Sequence, residues 1–127
     1  MHIHISPPLG TPWKISEVKK ISMSALYFEN AFEAILPKGR RGNQFARSNK
    51  LDNYLFKDLN LDQCFEWIRN STHMKSLVWL LNPWDDGEAS PARNTFPSLN
   101  TAINDRFYGW NFGNLGYSEP VLGTIGM

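Results

Sequence analysis

Apolar residues recur every third or fourth position in the first third of the chain, and this spacing constrains the fold more than any other feature. The steps place one apolar stripe along a helix that begins near Ser16 and ends before Pro37. Ser24 offers a second start, so the helix is predicted either as one piece or as two. The residues of the stripe are Val18, Ile21, Ala25, Phe28, Phe32 and Ile35.

Four other segments have the pattern of β-strands. His2–Ser6 alternates histidine and isoleucine, which is typical of a short strand with both isoleucines on one face. The continuous apolar run at Ser76–Leu81 predicts a central strand that is covered on both faces. Tyr54–Phe56 is a candidate short strand, and Val121–Ile125 is expected to join the sheet late.

Two shorter helices complete the prediction. Asn60 or Asp62 caps the first, and Ser98 caps the second, which runs to Phe107. The first is expected to turn four side chains inward: Cys64, Phe65, Trp67 and Ile68. Residues 38–53 and 83–97 are rich in loop-forming residues. The chain is therefore predicted to be a single α+β domain over residues 1–127, with about three helices packed against a small, mainly antiparallel sheet.

Composition excludes several classes of protein. With 127 residues, 42% hydrophobic and 20% charged, the chain lacks the profile of a disordered protein. A net charge of +1 argues against a protein that coats nucleic acid by bulk charge. The one cysteine, Cys64, permits neither an internal disulfide nor a cysteine-rich zinc site. The longest strongly apolar run has five residues and no secretory leader is recognised, so a soluble cytoplasmic protein is expected.

The clearest charge asymmetry is a basic segment from Lys38 to Lys50. It holds five of the 13 cations and no anion, whereas the rest of the chain has 8 cations against 12 anions. Such a segment suits a clamp on nucleic-acid phosphates or on an acidic protein surface. An ordinary solvated loop would have the same composition. The five cations are Lys38, Arg40, Arg41, Arg47 and Lys50.

Two further groups of residues suggest metal binding. Asp85, Asp86 and Glu88 follow the predicted central strand, where carboxylates can converge on Mg²⁺ or Ca²⁺, although Asp-Gly is also common in plain turns. His2 and His4 would share one face of a strand and could supply two ligands, but two histidines on the solvent face of an edge strand are the favoured interpretation. A third ligand would have to come from His73, Cys64 or a carboxylate. A Cys64–His73 catalytic pair is the least supported of these hypotheses, and no metal or other cofactor is expected.

A glycine-punctuated aromatic segment runs from Phe107 to Tyr117. Its glycines free the backbone, and its rings offer flat, partly polar surfaces that suit an interface or a pocket wall. The alternative is a loop that folds over the core and buries its rings. The residues proposed for contact are Trp84, Phe96, Tyr108, Trp110, Phe112 and Tyr117.

The sequence carries no nucleotide-binding glycine loop, no serine elbow and no zinc-protease motif. The favoured hypothesis is a small non-enzymatic binding protein that contacts a protein partner, or a second copy of itself, through the aromatic segment. The alternative is a nucleic-acid-binding protein or small metal-dependent nuclease that uses residues 38–50. A small-molecule pocket lined by Trp79, Trp84 and Trp110 is a third hypothesis.

Overall fold

The computed structural model describes residues 3–40, 47–83, 108–116 and 120–127. Within these ranges it contains three α-helices and one two-stranded antiparallel sheet, so the predicted α+β class is confirmed. The elements are β1 (His4–Ile5), α1 (Ile15–Ile35), α2 (Leu61–Asn70), α3 (Met74–Leu81) and β2 (Ile125–Gly126). The predicted helix from Ser98 to Phe107 lies outside the described residues. No helix in the described part is long and apolar enough to cross a membrane.

Helix α1 is a single helix of 21 residues. Its first turn is closed by Glu17, whose side chain accepts a hydrogen bond from the Lys14 N–H at 2.9 Å. Ser22 lies two residues before Ser24, the second predicted start, and its hydroxyl donates to the Val18 carbonyl at 2.7 Å. Because the serine hydroxyl is satisfied within the helix, no break is needed at this point. The helix ends at Ile35, ahead of Pro37 as predicted.

The apolar stripe of α1 does not stay on the buried face. An ideal α-helix rotates by about 20° for every seven residues, so a row of residues spaced by seven moves steadily around the helix. Ile21 is half-buried, Phe28 is 50% exposed and Ile35 is 64% exposed. The predicted apolar stripe is therefore not a continuous buried face of the helix. The residues that α1 does bury are Val18, Ser22, Ala25, Leu26 and Glu29.

Helix α3 replaces the predicted central strand at Ser76–Leu81. A short apolar run suits either a strand or a helix that is buried on most sides, so the pattern alone does not separate them. Here Val78 is the one β-branched residue of the run, and leucine and methionine are good helix formers. Leu77 and Leu81 have no exposed surface, whereas Trp79 is 40% exposed. Within the described residues, the sheet therefore lacks the strand that was expected at this position.

Helix α2 is capped by Asn60, which was one of the two predicted caps. The Asn60 side chain accepts from the Gln63 N–H, and the Gln63 side chain accepts from the Asn60 N–H, each at 2.9 Å. Cys64 and Ile68 are fully buried as expected, and Phe65 is partly buried. The prediction that Trp67 points inward is wrong, since its side chain is 44% exposed.

The described ends of the chain meet in the sheet. His4 pairs with Gly126 and Ile5 with Ile125 in antiparallel register. The strand predicted at Val121–Ile125 is therefore present, although it covers only Ile125–Gly126. Tyr54–Phe56 forms a turn and not the predicted strand.

Buried apolar side chains from the helices and the later segments form one cluster. Phe56, Ile68, Phe112, Leu115 and Ile125 are each at most 1% exposed within it. This cluster is the base on which the polar network and the groove described below are built.

Candidate functional site

Two buried asparagines, Asn49 and Asn82, hydrogen-bond to backbone groups that are distant from them in the sequence. Asn49 donates from Nδ2 to the carbonyl oxygens of Leu81, at 3.1 Å, and Trp110, at 2.8 Å. Its Oδ1 accepts the Trp110 N–H at 2.8 Å. Asn82 also donates to the Trp110 carbonyl, at 2.9 Å, and accepts the Phe112 N–H at 2.7 Å. The two amides thus satisfy buried backbone groups that have no sheet partner at these positions.

Glu29 of α1 extends this network from the opposite side. Its carboxylate accepts hydrogen bonds from the Asn49 N–H and the Ser48 hydroxyl. Burial raises the pKa of Glu29 above its ordinary value of 4.5, and the nearby Glu33 charge raises it further. The hydrogen bonds from Asn49, Ser48 and the Lys50 N–H act in the other direction and are outweighed. Because its oxygens are engaged by these donors, we interpret Glu29 as a residue that holds the fold.

The aromatic segment proposed for contact is packed into the interior where the structure describes it. Tyr108 is 9% exposed, Trp110 is 5% exposed and Phe112 is fully buried. The Trp110 ring packs edge-to-face on Phe32 of α1, with 5.2 Å between ring centroids. Trp110 and Phe112 are core residues instead of a contact surface, because the asparagine bonds hold their backbone against α3. Tyr108 is buried as well, although it is not part of the core cluster. The other members of the proposed set lie outside the described residues: Trp84, Phe96 and Tyr117.

The basic segment is described only in part. Lys38 is exposed in a short 3-10 helix at Lys38–Arg40. Arg47 and Lys50 are half-buried on either side of the network residues. The side chain of Arg40 and all of Arg41 lie outside the described residues. A nucleic-acid contact through these five cations therefore stays a prediction.

The metal and cysteine hypotheses gain no support from the described residues. The three carboxylates of the predicted metal site lie outside them: Asp85, Asp86 and Glu88. Where side chains are described, no three histidine, cysteine or acidic residues come together as a metal site. His4 is exposed on β1. Cys64 is fully buried, and burial raises the pKa of its thiol, an effect that the Lys50 charge partly offsets. A raised pKa disfavours the thiolate, so Cys64 is better suited to packing than to nucleophilic chemistry.

A groove of about 450 Å³ opens between α1 and α2. Met23 and Phe65 line it and also pack, partly buried, against the core. Tyr27 and Phe28 line it from the side of α1 that faces away from the core. Their rings meet edge-to-face, with centroids 4.9 Å apart and an interplanar angle of 82°. Tyr27 is 60% exposed and Phe28 is 50% exposed, so this pair presents apolar surface to solvent.

Two cations, Lys20 and Arg69, lie at the end of the groove opposite Tyr27 and Phe28. The Lys19 ammonium donates to the Arg69 carbonyl oxygen at 2.6 Å, which ties the first half of α1 to the C-terminal end of α2. Lys20 and Arg69 both line the groove beside this bond. The Arg69 guanidinium carbon lies 5.8 Å from the Phe65 ring centroid, a cation–π distance. The groove is therefore cationic at one end and aromatic at the other.

The groove was not among the predicted sites, although one feature of the sequence points to it. Leu26, Tyr27 and Phe28 are consecutive, and successive residues of a helix point about 100° apart. A single core-facing side cannot cover all three of them. Leu26 takes the buried direction, which leaves Tyr27 and Phe28 outside. Lys20 and Arg69 gave no signal, because their convergence depends on how two distant helices pack.

Comparison with protein-family models gives no match, and comparisons with curated proteins and with solved structures give no significant match. The functional interpretation therefore depends on the groove and on the chemistry of its lining residues.

Proposed function

We propose that the protein is a small non-enzymatic binding protein that contacts a second protein through the groove between α1 and α2. The observation that carries the proposal is the exposure of the Tyr27–Phe28 pair on the groove. Large contiguous apolar patches on a surface mark interaction sites, and aromatic rings are enriched at binding hot spots. As in the interpretation of the sequence, the proposal places the protein in the cytoplasm.

The construction of the groove supports this role. Met23 and Phe65 are held by the core beneath them, and the Lys19–Arg69 bond fixes one helix against the other. A surface that is ordered before binding loses less conformational entropy when a partner arrives.

The shape of the surface favours a polypeptide over a small molecule. The groove is open to solvent along one side. Its apolar surface continues along α1 through Ala31, which is exposed, to Ile35, which is 64% exposed. Small-molecule sites bury most of their ligand in a concave cavity, whereas an open stripe along a helix suits an extended contact.

Selection of peptides from a random displayed library tests the proposal. The full chain is the bait, and enriched peptides are then measured against a Tyr27→Ser/Phe28→Ser double variant. A matched control is Leu51→Ser. Leu51 is also a large exposed apolar residue, with 64% exposure, but it does not line the groove. We expect enriched peptides that bind the wild type and the control equally. Their affinity for the double variant should fall by about tenfold or more, since each hot-spot aromatic is worth over about 1 kcal/mol.

Two results would overturn the proposal. One is a selection in which no peptide depends on Tyr27 and Phe28. The other is salt-sensitive binding, or Mg²⁺-dependent cleavage, of a random nucleic-acid pool at about 50 mM salt that the double variant retains. The second result would support the nucleic-acid alternative and direct attention to residues 38–50.

A further inference from the structure

We infer that the partner segment is an amphipathic α-helix that presents large apolar side chains and, about two turns away, carboxylates. This inference rests on the proposed function and specifies the chemistry of the partner. It is carried by two independent properties of the groove, which are the direction of its apolar surface and the position of its cations.

The apolar surface has the length and direction of a helix. It runs from Met23 in the groove to Ile35 at the end of α1, a separation of 12 residues. At a rise of 1.5 Å per residue, this is about 18 Å, or rather more than three helical turns. A partner helix laid alongside α1 would place residues at i, i+3, i+4 and i+7 on Tyr27, Phe28 and the surface beyond them.

The charges of the groove select an acidic partner. Among the residues that the structure describes, seven line the groove; Lys20 and Arg69 are two of them, and none of the seven is a carboxylate. The carboxylates of α2 at Asp62 and Glu66 are exposed and do not line the groove. Arg69 is exposed and lies over the Phe65 ring, so its charge is accessible to a partner at this end of the groove.

The spacing of these groups fixes the spacing on the partner. Lys20 precedes Tyr27 by seven residues, which corresponds to about 10 Å along α1. A helix that lies parallel or antiparallel to α1 would then meet the cations about seven residues from its apolar anchors. A partner helix with acidic side chains at that distance from its apolar anchors would complement both ends of the groove at once.

Two synthetic helical peptides test the inference. Both have the same uncharged alanine–glutamine host, a tryptophan and a leucine one turn apart as anchors, and a neutral fluorophore. The acidic probe carries a glutamate pair seven residues to either side of the anchors, so that one pair meets the cations in either orientation. The basic probe carries lysines at the same positions. Binding to the full chain is measured by fluorescence anisotropy at low and high salt.

We expect the acidic probe to bind the wild type about 2- to 30-fold more tightly than the basic probe, and salt to reduce this preference. The Lys20→Glu/Arg69→Glu variant should reverse the preference, and Lys20→Gln/Arg69→Gln should abolish it. Lys57→Glu is the matched control, because Lys57 is exposed and does not line the groove. It should leave the preference unchanged. A reversal cannot arise from loss of folding, which would weaken both probes together.

The outcomes separate this inference from the proposed function. Equal binding of both probes that still depends on Tyr27 would refute the acidic partner and leave the protein contact standing. Failure of both probes, together with a peptide selection that yields nothing dependent on Tyr27, would refute both. Sedimentation of the wild type as a dimer that Tyr27→Ser dissociates would identify the occupant as a second copy and overturn the inference.

Discussion

Replacement of Asn49 by alanine tests the importance of the buried network for the fold. The Asn49 side chain makes three hydrogen bonds, two to Trp110 and one to the Leu81 carbonyl. Alanine removes the partner of the Trp110 N–H and of the Leu81 carbonyl, while the Trp110 carbonyl keeps its bond from Asn82. Each buried group that loses its partner costs about 1–3 kcal/mol, so we expect a loss of roughly 2–6 kcal/mol.

The assay is urea unfolding, followed by both tryptophan fluorescence and far-UV circular dichroism. The expected loss is a large part of the roughly 5–15 kcal/mol that stabilises a typical domain, so the midpoint should fall clearly at an unchanged slope. Asn30→Ala is the matched control, because Asn30 is exposed on α1. There the better helix propensity of alanine should change stability by less than about 1 kcal/mol.

An isosteric variant sharpens the test. Asn49→Asp keeps an acceptor for the Trp110 N–H but places a carboxylate oxygen against the Leu81 and Trp110 carbonyls. We expect this variant to be strongly destabilised at neutral pH and partly recovered in acid, where the protonated carboxyl can donate one hydrogen bond. If Asn49→Ala cost no more than Asn30→Ala, the network would contribute little to stability and this reasoning would be refuted.

Three other residues give further expectations. Because the pKa of Glu29 is raised above 4.5, the unfolded chain ionises first as pH rises, and this group's contribution to stability is lost between pH 4.5 and its folded pKa. Glu29→Gln should remove that part of the slope, seen as a difference between urea midpoints from pH 4 to 7. A Cβ at Gly123 would lie 2.7 Å from the Asn114 carbonyl carbon, so Gly123→Ala should cost about 1–3 kcal/mol in urea unfolding. Cys64 should react with a thiol reagent only as the chain unfolds, and rapid labelling of the native protein would contradict its burial.

Local patterns were enough to predict the elements that depend on local chemistry. The cap of α2, predicted as Asn60 or Asp62, and the end of α1 before Pro37 follow from the hydrogen-bonding and steric properties of single residues. The class of the fold followed as well, because helix and strand periods differ. The error at Ser76–Leu81 has the same origin, since a short run that is apolar throughout carries no period to read.

The site could not be predicted in the same way. Whether Trp110 and Phe112 face solvent or core is decided by asparagines that lie 61 and 30 residues away along the chain. A polar residue in a loop segment gives no sign that it will be buried, because its partners are backbone groups of distant elements. The groove depends likewise on the packing of α1 against α2, which brings Lys20 and Arg69 to one end.

Residues 26–29 of α1 face the buried network on one side and the groove on the other. Leu26 and Glu29 point into the molecule, toward the core and the buried network, whereas Tyr27 and Phe28 point away from it. A helix can carry both because its opposite sides pack independently, so substitutions on the two sides should have separable effects. Groove variants should lose peptide binding with only a small loss of stability, since Tyr27 and Phe28 are at least half exposed, and network variants should lose stability while their folded fraction still binds. A groove variant that also unfolded the chain would show that the aromatic pair belongs to the core, and the case for a contact surface would fail with it.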